Sequence, residues 1–208
     1  MTISSNQHRH ALYACYGAMM CLAMALNFLP VYLTTFSQTF GASAGLPTEQ
    51  LGRIPAIMFL SFIIAILATG PLADRYEARV FIFFGLATTT VGLGAVAVAP
   101  SYTLLLFAVA LMGFGAGVLD MILSPLVAAL QPERRSAAMN WLHSFFCIGA
   151  VSALLLASVA LKWDISWRMV ALGLMVAPIV TFVIFLRLPL PALIHEDRQR
   201  ESMPTLFK

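Results

Sequence analysis

One carboxylate, Asp120, sits inside an almost unbroken apolar run from Tyr102 to Leu130. A run of that length is a membrane span, and an acid at its centre costs at least ~2.5 kcal/mol on insertion. At helical spacing Gly113, Ala116, Gly117, Asp120 and Ser124 share one face, a stripe of small residues that admits another helix or a solute closely. An acid so placed has the chemistry of a proton or ion site; the competing role is a structural Asp bonded to a neighbouring helix. A second stripe, Ser136, Asn140, His143 and Cys147, recurs at i, i+4, i+7 and i+11. A third joins Tyr16, Met20, Ala23 and Asn27 near the N-terminus. Tyr16, Asn27, Asn140 and His143 offer hydrogen bonds and an aromatic face, which suit a neutral, hydroxyl-rich ligand. The bland alternatives are amide glue between helices for Asn27 and a packing histidine bonded to a carbonyl for His143.

Six apolar spans position these groups, at 11–36, 51–73, 80–99, 102–130, 136–161 and 166–188. They form an all-α membrane bundle over 11–188, between a polar N-terminus (1–10) and a polar tail (189–208) whose part from His195 onward reads as disordered. Pro30 predicts a kink in the first span, and 37–50 reads as a loop closed by Pro47-Thr48-Glu49-Gln50 as a helix start. The first apolar run is too long for a signal-peptide core and stays as a span. No Lys or Arg lies in the middle of any span, so nothing there holds an anionic solute. At 1.5 Å per residue, Asp120 and His143 lie roughly 16 and 12 Å from the short turn joining their helices.

With 61% hydrophobic and 10% charged residues, the 208-residue chain is not a water-soluble globular domain. A net charge of +3 without basic, aromatic-interleaved patches gives no footprint for nucleic acid. Cys15, Cys21 and Cys147 lie in apolar runs with no paired spacing, so neither a disulfide framework nor a metal site is expected. No cofactor is expected either. Gly113-Phe114-Gly115 lies in an apolar helix with no strand before it, which argues against a dinucleotide loop. Ser144 adjoins His143 but points elsewhere on a helix, and no nucleophile elbow occurs, so an enzyme is not expected.

Positive charge sets the orientation. With the N-terminus inside, Arg9, Arg75, Arg79, Arg134, Arg135, Arg187, Arg198, Arg200 and Lys208 are cytoplasmic, leaving Arg53, Lys162 and Arg168 outside. The bias places both termini in the cytoplasm.

The stretch Gly70 to Arg79 resembles G-x-L-x-D-R-x-G-R-[RK], the signature between the second and third helices of major facilitator superfamily transporters. Gly70, Leu72, Asp74, Arg75 and Arg79 fit it; Glu77 stands where the family has glycine, and Ala78 where it has the first trailing base. The resemblance implies a half-transporter of two inverted three-helix repeats, although no sequence echo between 1–100 and 101–188 is convincing. It also makes Gly70, Asp74, Arg75 and Arg79, with Glu133 and Arg134 of the following charged turn, a conformational switch whose acids pair and release between states. From Asp120 through Pro125, Pro132, Glu133, Asn140, Phe145 and Gly149 the chain resembles the fucose-type sugar–proton symporters. That likeness makes Asp120 the proton-linked acid and sets His143 where those carriers tend to have a sugar-facing amide. Residues 11–36 lack the acid those carriers have in helix one.

The resulting expectation is secondary transport of a small neutral polar solute, a sugar coupled to protons. The setting would be a bacterial inner (plasma) membrane, with a second six-helix half or a homodimer partner completing the site. The alternative is a non-transporting half-carrier remnant or a regulatory partner of a full transporter.

Overall fold

The computed structural model describes residues 5–41 and 43–190. The expected disordered tail, the first four residues, and the cytoplasmic charges of Arg198, Arg200 and Lys208 lie outside the described residues. Within them, six helical spans are long and apolar enough to cross a membrane. Span one is α1 (Ser5–Asn27), a 3-10 turn (Leu29–Tyr32) and α2 (Leu33–Phe40). Spans two to five are α3 (Thr48–Ala73), α4 (Ala78–Val98), α5 (Tyr102–Leu130) and α6 (Arg135–Lys162). Span six is α7 (Trp167–Leu174) followed by α8 (Val176–Leu186).

The differences from the sequence expectation are local. The kink foreseen at Pro30 is a full interruption: Pro30 has no N–H to give, and the chain tightens into a 3-10 turn before resuming as α2. Helix therefore reaches Phe40, four residues into what reads as loop. Glu77 occupies an extended conformation at φ −64°, ψ 142°, ahead of α4. No left-handed backbone is needed there, so the turn accepts a residue other than the family's glycine.

Packing centres on α5, which α3 and α4 flank. A Cβ on Gly113 would stand 2.2 Å from the Met58 carbonyl oxygen, and one on Gly117 2.3 Å from that of Phe62, so α3 lies directly on this stripe. Gly115 meets α4 in the same way, 2.5 Å from the Thr89 nitrogen. Elsewhere α6 seats Gly149 on α1, 2.6 Å from the Met20 carbonyl oxygen. Backbones this close gain dispersion and shed lipid contact, the main drive for helix association in hydrocarbon. The principal neighbours are span two with four, one with five, one with four, three with four, three with six and one with six. Exchanging one with four, two with five and three with six maps that set onto itself, as inverted three-helix repeats require.

Replacing Gly117 by Leu is expected to lower the melting temperature of the purified protein, overpacking costing about 1–3 kcal/mol. Gly173→Ala, where an added Cβ meets nothing within 4 Å, is the matched control. Equal melting of the two variants would contradict the close crossing of α3 and α5.

Candidate functional site

The uncovered surface divides into two kinds. On α3 it is Phe59, Leu60, Ile63, Ile64 and Leu67, and on α8 Val176, Ile179, Val180 and Val183, all apolar and suited to lipid. On α6 it includes Ser136, Asn140, His143, Ser144 and Cys147. Polar groups are costly against hydrocarbon, so this second face belongs against protein or a water-filled cavity.

α6 acquires that face because it rests on α1 through a narrow ridge of small and apolar residues, Ala138, Leu142, Gly149, Ala153 and Ala157. Met139, Phe145 and Phe146 flank the ridge half-buried, and Ser136, Asn140, His143, Ser144 and Cys147 stay uncovered. From their short turn α5 and α6 diverge, and between them opens a cavity of ≈ 580 Å³ lined by Ser124, Pro125, Ala128, Arg135, Ser136, Met139 and Asn140. That volume falls in the range of small-molecule sites. One turn from Ser124, Asp120 is half-buried on α5, and one turn from Asn140, His143 is exposed on α6.

The stripes separate accordingly. Gly113, Ala116 and Gly117 are buried under α3, so the small residues beside Asp120 serve helix packing. Asp120 is half-buried on α5, while Asn140 and His143 are exposed on α6, and of the three Asn140 lines the cavity. Asn27 sits half-buried at the last residue of α1, beside the interruption, and its side-chain amide donates to the Ala23 carbonyl at 2.8 Å. Tyr16 differs most from its expected role. Its ring stacks on Phe145 at 5.2 Å and its hydroxyl donates to the Ala138 carbonyl at 3.3 Å, within the α1–α6 interface. Arg135, read from sequence only as a positive charge at a turn, lines the cavity. Its adjacency to Ser136, the first member of the polar stripe, is the signal that could have found it.

At the Gly70–Arg79 turn, Gly70 meets α5 at Met121, and Asp74, Arg75 and Glu77 are exposed. Backbone bonds from Arg75 and Tyr76 to the Leu72 carbonyl close the turn. Glu133 and Arg134 are exposed on the second charged turn, and among the described residues the one ion pair is Glu49 with Arg53. Asp74 and Glu133 thus have no ion-pair partner among the described residues. Arg79 leaves the turn and reaches the end of span six.

Comparison with known proteins matches residues 10–207 to the Major Facilitator Superfamily. The protein named "Probable 4-methylmuconolactone transporter" of Cupriavidus pinatubonensis (strain JMP 134 / LMG 1197) is 27% identical over 185 residues, covering 86% of this chain and 42% of that protein. "Multidrug resistance protein MdtH" of Shigella dysenteriae serotype 1 (strain Sd197) is 33% identical over 95 residues, 46% of this chain and 24% of its own. Among solved structures, the transporter FucP in its outward conformation superimposes with a TM-score of 0.74 at 19% identity, over 97% of this chain and 55% of that one. A peptide transporter, POT, does so with a TM-score of 0.71 at 20% identity, over 85% and 37%. This chain spans less than half the length of the two curated relatives.

Tyr16→Phe removes only the bond to the Ala138 carbonyl. It is expected to cost about 0.5–1.5 kcal/mol of stability, read as a lower melting temperature. A variant that melts like the parent but binds solute more weakly would return the hydroxyl to the ligand.

Proposed function

The chain belongs to the Major Facilitator Superfamily and is an integral membrane protein; from that premise we propose that it forms one half of a secondary transporter that moves a small neutral polar solute, of the sugar class, together with protons. The observation that carries this reading is the mid-span acid Asp120, half-buried on α5, with Asn140 and His143 uncovered on the neighbouring α6. Asp120 takes and releases the proton. Asn140, His143 and Asn27 hold the solute by hydrogen bonds, while Tyr16 contributes packing behind them. The absence of any Lys or Arg in mid-span favours a neutral cargo over an anion.

A polar face of this kind needs a covering surface, supplied by a second six-helix half or a second copy of the chain. The N-in, C-in orientation rests on the nine-to-three bias of basic residues counted across the whole sequence. It makes the setting a plasma membrane whose cytoplasmic side carries the Asp74 and Glu133 turns, and those turns are the switch.

Asp120→Asn keeps size and hydrogen bonding but cannot titrate. In the assembly that transports, it should abolish uphill, pH-driven uptake while leaving downhill exchange. The single exposed thiol offers an independent readout: Cys147 is exposed while Cys15 and Cys21 are buried. Solute should slow alkylation of Cys147 in parent and Asp120→Asn protein alike. Accumulation against a gradient by Asp120→Asn would remove the proton assignment, and alkylation indifferent to every sugar tested would remove the solute assignment.

The switch reading predicts that Asp74→Asn changes the side of the membrane from which Cys147 is alkylated, with solute affinity retained. Cysteines placed at Asp164 and Glu133 supply the outside and inside references. Labelling of those two in reverse order would overturn the orientation. Loss of affinity without a change of side would overturn the switch.

A further inference from the structure

Two arginines occupy equivalent places at opposite ends of spans three and six. Arg79 is the second residue of α4, and Arg168 the second residue of α7. The Arg79 guanidinium donates to the carbonyls of Leu186 and Leu188, both at 3.1 Å, where span six ends. The Arg168 guanidinium donates to the carbonyls of Ala97 and Ala99, at 2.7 and 2.8 Å, where span three ends. Each fork therefore takes carbonyls i and i+2 of the other span's last turn. Each guanidinium also lies over an aromatic ring from the start of its own span, Arg79 at 5.3 Å from the Phe83 centroid and Arg168 at 4.3 Å from that of Trp167.

Each accepting segment ends at a proline, Pro100 after Ala99 and Pro189 after Leu188, so the chain cannot continue the helix and these carbonyls find no ordinary helical donor. The spacing repeats as well: Pro100 follows Arg79 by 21 residues, and Pro189 follows Arg168 by 21. This is an internal echo that residue-by-residue similarity hides. It survives because its two ends do the work and the apolar residues between them are interchangeable.

We propose that Arg79 and Arg168 are the two halves of a reciprocal clamp that fastens spans three and six into one antiparallel unit, one clamp at each membrane face. A charge-assisted, two-pronged bond to otherwise orphaned carbonyls is strong and directional at a helix end. The planar fork, pre-set by the ring beneath it, suits a fixed geometry better than a flexible ammonium would. Because Arg79 closes the Gly70–Arg79 turn, the clamp also ties that turn to the chain leaving span six. Motion of the turn is then motion of the three–six unit, not of a loose loop.

The test needs no transport activity. Spin labels at the exposed positions Val80 and Arg187 report one face, and labels at the exposed positions Val98 and Met169 report the other. In the full chain in lipid, Arg79→Gln should widen the 80–187 distance distribution by about twofold and leave 98–169 unchanged. Arg168→Gln should do the reverse, with Arg→Lys intermediate at each site. Should a Gln variant fail to purify, the Lys variant at that position is read alone and must still widen its own end. Unchanged widths, or loosening of both ends by either substitution, would overturn the clamp and leave the arginines as independent helix caps. Because the labels lie away from Asp120 and Cys147, failure here leaves the transport reading intact.

Discussion

Hydrocarbon supplies no hydrogen bonds, so every polar group in the bundle must be satisfied inside the protein or shielded from lipid. Most of the architecture follows from that constraint. The backbone is helical across the apolar spans, and several helix ends are served by side chains, Ser101 and Ser166 at the starts of α5 and α7 and the two arginines at the ends of spans six and three. Two tyrosines of span one show the rule inside the bundle. Tyr16 and Tyr32 are buried, and each hydroxyl donates to an α6 carbonyl, Ala138 at 3.3 Å and Ala157 at 3.1 Å. At span three the rule is served from outside, by Arg168 at the orphaned carbonyls of Ala97 and Ala99. Against this background the uncovered Asn140, His143 and Cys147 are an exception, and exceptions to satisfaction are where function concentrates.

Much of this was legible in the residues. Apolar length gave the six spans, because 18-residue apolar windows have few alternatives to crossing a membrane. The Gly70–Arg79 stretch carried the family, since its acid and bases stand at a turn with little other reason for that order. Asp120 was legible as an anomaly: one acid among about 29 apolar positions is conspicuous whatever the fold.

What was not legible depended on partners distant in sequence. Residue type marks Tyr16 as a hydrogen-bonding aromatic, but only the α1–α6 contact shows its hydroxyl given to Ala138. Gly113 and Gly117 could have admitted a solute or a helix; the crossing with Met58 and Phe62 decides for the helix. Arg79 read as the trailing base of a switch turn, yet its bonds run to Leu186 and Leu188, more than a hundred positions away. Pro30 announced a disturbance without saying whether the helix bends or stops, because that depends on how α2 is then held. Here Phe36 answers, buried edge-on against Trp167 at 5.0 Å.

The fixed contacts are unevenly spread, and their distribution bears on where the bundle can yield. Spans two and four are locked by glycine crossings, spans one and five by Gly149 on Met20, and spans three and six by arginine forks at both ends. Spans four and five share a turn but no such device, and it is between them that the ≈ 580 Å³ cavity opens. Small, close-packed interfaces are bistable rather than continuously deformable, so freedom is left to pairs such as four and five that carry no such lock. Asp120 lies one turn from Ser124 on α5, and His143 one turn from Asn140 on α6. Both side chains thus stand on helices that neither a glycine crossing nor an arginine fork holds to each other.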